Sequence, residues 1–369
     1  MPRRHPIHGA GVQRHRPFSL SVLDATGFGV LNVTQTREGS LNIVVIGAAG
    51  MVGRKLTQAL VAAAQVGDAP ITGMILVDMV APAIPHAGFP VSALAADLTH
   101  PGMARTLIAT RPDLIFHLAA VVSGEAEADF EKGYAVNLDG MRHLLEAIRL
   151  PGQVEPYRPR LVFTSSIAVF GEPLPPVVPD DMAHTPQTSY GTQKAICELL
   201  LADYSRRGFV DGIGIRLPTI VVRPGAPNKA ASGFFSGIIR EPLLGVEAIL
   251  PVADGVRHWF ASPRSAVGFL MHAATLDTAP LGQRRNLTMP GLSATIAEEL
   301  AALERFGGER VVALVRRVPD ETISRMVAGW PQNFDARRAL ELGFRAETSF
   351  NDIVRCHIED ELGGEVPRG

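Results

Sequence analysis

The sequence predicts an α/β protein, a doubly wound parallel sheet with a smaller α+β lobe toward its carboxyl end, and three observations predict it. Short β-branched runs alternate with apolar stripes at helical spacing, joined by short links. The first run leads at once into a glycine turn and then a helix. At 369 residues the chain has room for two compact units that share one cleft.

Composition narrows the class before any motif does. Hydrophobic residues at 46% and charged residues at 20% are globular values. No run of 18 or more residues lacks charge, Gly and Pro, so no bilayer span is expected. Lys plus Arg at 35 against Asp plus Glu at 37 leaves a net charge of −2, which gives no pull toward nucleic acid or anionic lipid. Cys197 and Cys356 are too few for a disulfide framework and lack zinc-site spacing, so no metal is expected.

Residues 1–40 differ in character: Arg3, Arg4, Arg14 and Arg16 precede the first acidic residue, Asp24, among scattered Pro and Gly. This reads as a poorly ordered extension. An Arg-rich, acid-poor start also fits a mitochondrial transit peptide, although Pro2, Pro6, Gly9, Gly11 and Pro17 interrupt an amphipathic helix. The organised chain divides into a dinucleotide-binding domain over residues 41–220 and a substrate lobe over 221–369, with some segments of the lobe returning to the first domain.

Leu41–Ile46 has the composition of a buried parallel strand. Gly47, Gly50 and Gly53 follow, then Val52, Leu56, Leu60 and Ala63 at helical spacing. The glycines allow a tight turn, close backbone approach to a pyrophosphate, and close helix packing. Gly47, Gly50, Met51, Val52 and Gly53 are therefore the expected cofactor cradle. Met74–Val77 is the second strand and ends at Asp78, whose carboxylate suits ribose hydroxyls and repels a 2′-phosphate, so NAD is favoured over NADP. Val91–Leu98 is a third strand, ending at Asp97 and Leu98, which face an adenine edge. Leu114–Val122 is a fourth, with the small Ala119 and Ala120 leaving room for a flat ligand beside Leu118.

Leu138, Met141, Leu145 and Ile148 form a crossover-helix stripe. Leu161–Phe163 then opens a strand that runs into Thr164, Ser165 and Ser166. Tyr190 and Lys194 are four apart on the next helix, so phenol and ammonium share one face. A neighbouring ammonium lowers a phenol's pKa and makes a general base of it, and Ser166 is placed to hold the substrate oxygen. The next strand is Gly214–Leu217. In the lobe, Ser293 precedes a helical run, Val311–Val315 reads as a strand, and Ser349 with Asp352 caps a last helix.

Taken together, the glycine turn, Asp78, Ala96-Asp97-Leu98, His117–Ala120, Asn137, Thr164–Gly171, the Tyr190/Lys194 pair and Arg216–Gly225 resemble the extended short-chain dehydrogenase/reductases. The resemblance spans roughly residues 41–360. It implies a Rossmann sheet, NAD as cofactor, Ser166, Tyr190 and Lys194 as catalytic residues, and Asn137 and Pro218 beside the cofactor. It also implies a homodimer built from the helices that carry Asn137 and Tyr190, and a cytoplasmic enzyme. The family's sugar-nucleotide enzymes follow this arginine strand with Asn-x-Tyr-Gly-Pro, whereas here Pro218–Gly225 reads PTIVVRPG.

Two stretches, Ala226–Gly245 and Arg257–Leu270, resemble a subgroup that oxidises a four-carbon sugar acid such as D-erythronate at C2. Asn, Ser and Arg suit hydroxyls and a carboxylate, which makes Ser123, Asn228, Ser232 and Arg257 substrate candidates beside Ser166 and Tyr190. Arg257 is equally suited to pairing with a structural carboxylate, and Asn228 to shaping a turn. His258, beside Trp259 and Phe260, reads as a packed histidine. The competing readings are a nucleotide-sugar epimerase or dehydratase with the same triad, and a non-catalytic NAD sensor.

Overall fold

The structure, a computed structural model, describes residues 39–225 and 232–366 together with the backbone of two short strands, Ser19–Val22 and Leu31–Thr34. Those two strands pair antiparallel with each other. The remainder of the segment read as a loose extension, and Asn228, lie outside the described residues.

The main sheet runs in the order Val91–Ala95, Ala69–Asp78, Leu41–Ile46, Leu114–His117, Arg160–Ser166, Asp211–Leu217, Asn286–Thr288, all parallel. A short antiparallel segment, Gln65–Val66, borders Ala69–Pro70. Strand order reverses between Leu41–Ile46 and Leu114–His117, the place where a doubly wound sheet opens a crevice at its carboxyl edge.

Each sheet face buries alternate residues, as the period of two demands. Ile43 and Val45 pack with Leu56 and Leu60 of the helix Met51–Ala63 and with Ala266, Phe269 and Leu270 of the helix Pro263–Thr275. Val44 and Ile46 face the other way, onto Leu107, Met141, Leu145, Cys197 and Leu201 of the helices Pro101–Ala109, Gly140–Arg149 and Ser189–Arg206. Both faces are covered, which is why these strands read as continuous apolar runs.

The smaller lobe has its own core, with Phe235, Ile238, Phe260, Leu303, Phe350 and Ile353 fully or almost fully buried. Its small sheet pairs Thr219–Ile220 with Arg257–Ala261 in parallel and Arg257–Ala261 with Leu292–Thr295 antiparallel. The helix Pro263–Thr275 and the strand Asn286–Thr288 return to the main sheet between these lobe elements.

Four expectations about elements need correction. Ser293 lies inside the strand Leu292–Thr295 and gives its hydroxyl to Gln332, while a reciprocal box between Thr295 and Glu298 starts the helix Ile296–Gly307. Val311 and Val312 close a short helix, Glu309–Val312, after Gly308 at φ +77°, and pairing resumes only at Val315–Arg317. The third strand stops at Ala95, and the fourth at His117, where the chain leaves the ladder to form the crevice wall. Ser349 does cap its helix, accepting from the Asp352 amide.

Candidate active site

The glycine loop is shaped by two collisions it avoids. Gly47 sits at φ +91°, and a Cβ there would lie 2.6 Å from the Ala119 amide nitrogen across the switch point. A Cβ on Gly53 would lie 2.1 Å from the Gly47 carbonyl oxygen, so only glycine lets the helix start press against the loop. Gly50 is the N-cap of Met51–Ala63 and no side chain caps it, nor is there an acidic residue in the first turn. The first-turn N–H groups of that helix, Met51 and Val52 included, thus face the crevice as anion donors. Asp78 stands alongside: one carboxylate oxygen accepts from the Ala49 amide at 2.9 Å and the other from Met79 at 2.7 Å. The cradle and its flanking carboxylate fit a dinucleotide.

Beyond the switch point, the strand Arg160–Ser166 ends in a tight turn in which Ser166 Oγ accepts from the Ala168 amide at 3.1 Å. The helix Ser189–Arg206 begins hard against that turn. Thr188 caps it through the Gly191 amide, and a Cβ on Gly191 would lie 2.2 Å from the Ala168 carbonyl. That close approach brings the Tyr190 phenol under the influence of the Ser166 hydroxyl. One turn on, Lys194 is 2% exposed; its Nζ donates to the Thr164 carbonyl at 2.9 Å and lies 5.7 Å from the Tyr190 ring centre. The three residues predicted to be catalytic are therefore brought together.

Their electrostatics differ from expectation. Burial pushes the Tyr190 phenol up to about 12, opposed by the Ser166 hydrogen bond and the positive charge of Arg223. Burial also lowers Lys194 to about 8. The ammonium is turned toward Thr164, and the influences that lower the phenol, Ser166 and Arg223, are outweighed by burial. Arg223 escaped the sequence reading because nothing in the pattern Val221-Val222-Arg223 says where its side chain goes.

A buried ion network supports this strand end and was likewise unforeseen. Glu198, fully buried one turn beyond Lys194, accepts from Ser165 Oγ at 2.5 Å, from Arg216 Nε and NH2 at 3.0 and 2.8 Å, and faces His184 at 3.0 Å. Burial alone would raise its carboxyl, but His184 and Arg216 together hold it below the usual range.

Asn137, in a π-helical turn over Tyr134–Asp139, clamps both the amide and carbonyl of Val121 and donates to Gln193 at 2.7 Å, so its side chain fixes the crevice wall from behind. Asp97 caps its own loop through the Thr99 amide, next to Leu98. Leu118 and Ala119 hang from the Ile46 carbonyl at the switch point, followed by Ala120. Pro218 is buried between Leu217 and the lobe strand. Ser123 opens a short helix packed on the Tyr190 helix. Ser232 accepts from Arg223 NH2 at 2.7 Å. Arg257 donates to the Ser293 carbonyl and pairs with Glu298 at 3.5 Å, contacts that do not tie it to Tyr190. His258 is a packed histidine, stacked on Phe235 and 2.6 Å from Thr219 Oγ1.

His117 is buried edge-on to Phe163, with both ring nitrogens unpartnered among the described residues. Burial lowers it to about 3, helped by the Lys194 charge. The unfolded chain binds that proton near pH 6.5, so the contribution to stability is complete above 6.5 and is lost as pH falls toward 3, by about 1.4 kcal/mol per pH unit. His117→Leu is expected to make the decline of Tm between pH 7 and 4 shallower; an unchanged decline contradicts this.

Three comparisons bear on the site. The model of the NAD dependent epimerase/dehydratase family matches residues 43–262. D-erythronate dehydrogenase of Cupriavidus necator is 48% identical over 328 residues, 87% of this chain and 98% of that protein. The Haemophilus influenzae D-erythronate dehydrogenase is 41% identical over 87% of this chain and all of that protein. Among solved structures, a nucleoside-diphosphate-sugar epimerase from Agrobacterium tumefaciens superposes with a TM-score of 0.87 at 62% identity, covering 89% of this chain and 96% of that one. A GalE-like L-threonine dehydrogenase from Cupriavidus necator, at 22% identity, shares the fold with a TM-score of 0.74 over 86% of this chain and 99% of that one.

Proposed function

This chain belongs to the NAD dependent epimerase/dehydratase family and is an NAD-dependent dehydrogenase, and on that premise we propose that it oxidises the C2 hydroxyl of a small sugar acid of the D-erythronate type. The observation that carries the reading is the meeting of Ser166, Tyr190 and Lys194 at the sheet edge beside the glycine cradle.

The loop and first helical turn, Gly47 to Gly53, hold the pyrophosphate. Asp78 takes the adenosine ribose, Asp97 and Leu98 border the adenine, and Leu118, Ala119, Ala120 and Pro218 line the wall toward the reacting end, braced by Asn137. Bound NAD supplies the hydride acceptor. Ser166 donates to the substrate oxygen and orients the C2 hydroxyl, and Tyr190 takes its proton. Lys194, buried and holding spare N–H groups, takes the cofactor's other ribose and favours the phenolate once the site is filled. Ser123, Ser232, Asn228 and Arg257 are the candidate contacts to the rest of the acid. We extend the proposal to a homodimer in the cytoplasm. Leu199, 64% exposed on the outer side of the Tyr190 helix, supports the dimer as an apolar residue suited to a helical interface.

The test is NADH formation on a panel of four- to six-carbon sugar acids, D-erythronate and L-threonate included, with NADP in parallel. Turnover of one acid with NAD is expected. A uridine sugar nucleotide that raises Tm while every acid stays unreacted overturns the reading. Asp78→Ser is expected to shift the ratio of kcat/KM for NADP over NAD upward by about tenfold or more, since it removes the carboxylate that repels a 2′-phosphate. An unchanged ratio removes Asp78 from cofactor choice.

A further inference from the structure

We infer that Arg223 receives the substrate's carboxylate and so sets the preference for 2-hydroxy acids; this rests on the dehydrogenase reading above. The strand register places it. Leu217 lies opposite Ser166 in the paired strands, so the chain that leaves Leu217 rises from the sheet edge next to the reacting hydroxyl. It passes Pro218, joins the lobe sheet at Thr219–Ile220, and reaches Arg223 three residues later.

There the side chain is held rather than loose. Its Nε donates to the Ile220 carbonyl at 2.9 Å and its NH2 to Ser232 Oγ at 2.7 Å. Its backbone is fixed at both ends, the amide by Ser236 Oγ at 3.1 Å and the carbonyl by Arg240 NH1 at 2.6 Å. The Arg223 charge acts on the Tyr190 phenol, lowering it against burial.

The substrate's chemistry supplies the rest. In a 2-hydroxy acid the carboxylate carbon is bonded to the carbon that carries the reacting hydroxyl. Once Tyr190 and Ser166 hold that hydroxyl, the carboxylate must fall close by, where a guanidinium beside the phenol can take it bidentately. An arginine that meets the carboxylate thereby also orients C2 for hydride loss. Ser232, bound to the same guanidinium, stands where it can reach the carboxylate or the next hydroxyl along.

The experiment compares D-erythronate with its neutral amide, on the wild type and on Arg223→Gln and Arg223→Lys. The wild type is expected to prefer the acid. In Arg223→Gln, kcat/KM for the acid should fall by about 100-fold, mostly through KM, about tenfold or more beyond the loss on the amide, which feels only the missing influence of the Arg223 charge on the Tyr190 phenol, and the NAD-induced rise in Tm is kept. Arg223→Lys should recover part of the loss on the acid alone. Equal losses on acid and amide, or no loss on the acid, overturn the assignment while leaving the dehydrogenase reading intact. A wild type that oxidises no acid brings down that reading and this inference with it.

Discussion

Tyr190→Phe is expected to lower kcat by about 1,000-fold or more, the scale of a positioned general base, while NAD binding and Tm stay close to wild type. The phenol oxygen is the only part removed, and the Ser166 hydroxyl retains its bond to the Ala168 amide. Because burial holds the phenol near 12 in the protein alone, oxidation should accelerate with rising pH in the wild type, as the phenolate fraction grows. The variant should lose that rising limb. Turnover within tenfold of wild type, or a pH profile that keeps its limb, would take the proton transfer away from Tyr190.

The second large effect is on stability. Glu198→Ala should cost up to about 3–5 kcal/mol, because it takes from the buried Arg216 guanidinium its nearest counter-charge, leaving Asp180 at 3.6 Å, and removes the acceptor of the Ser165 hydroxyl. Arg216 is 5% exposed and cannot turn out to solvent to recover hydration. Denaturant unfolding followed by circular dichroism measures the loss. Replacing the pair together by apolar residues of similar volume should cost much less than removing Glu198 alone, and a single-variant cost under about 1 kcal/mol would show the network to be unimportant.

The sheet and the cofactor loop were readable in the sequence for a physical reason. Parallel strands buried on both faces must be apolar throughout, as Leu41–Ile46 is, and a helix that starts on a phosphate needs glycines where Gly47 and Gly53 stand. The Tyr190 and Lys194 spacing was equally plain, since one helical face is a local property. What remained hidden depends on partners distant in the chain. Arg223 reads as one arginine among several until Leu217 is paired with Ser166. Glu198 looks like a polar break in an apolar stripe until Arg216 and His184 close around it. The direction of the Tyr190 shift follows from the surroundings that the folded chain packs around it, which spacing does not encode. Ser293 and Val311 misled because a good capping residue and a β-branched pair are weak local signals, overruled by strand pairing on one side and by the Gly308 turn on the other.

The order of the main sheet carries a further consequence, for biosynthesis. Asn286–Thr288 pairs with Asp211–Leu217, yet the ribosome makes several elements of the small lobe between them. While those elements emerge, Asp211–Leu217 has one ladder edge bare, and its own buried residues Ile213 and Ile215 await part of their cover from Pro263–Thr275. The dinucleotide-binding half therefore cannot finish folding as a bead before the lobe appears, and a nascent chain stalled within the lobe is the species most prone to pair with another copy of itself.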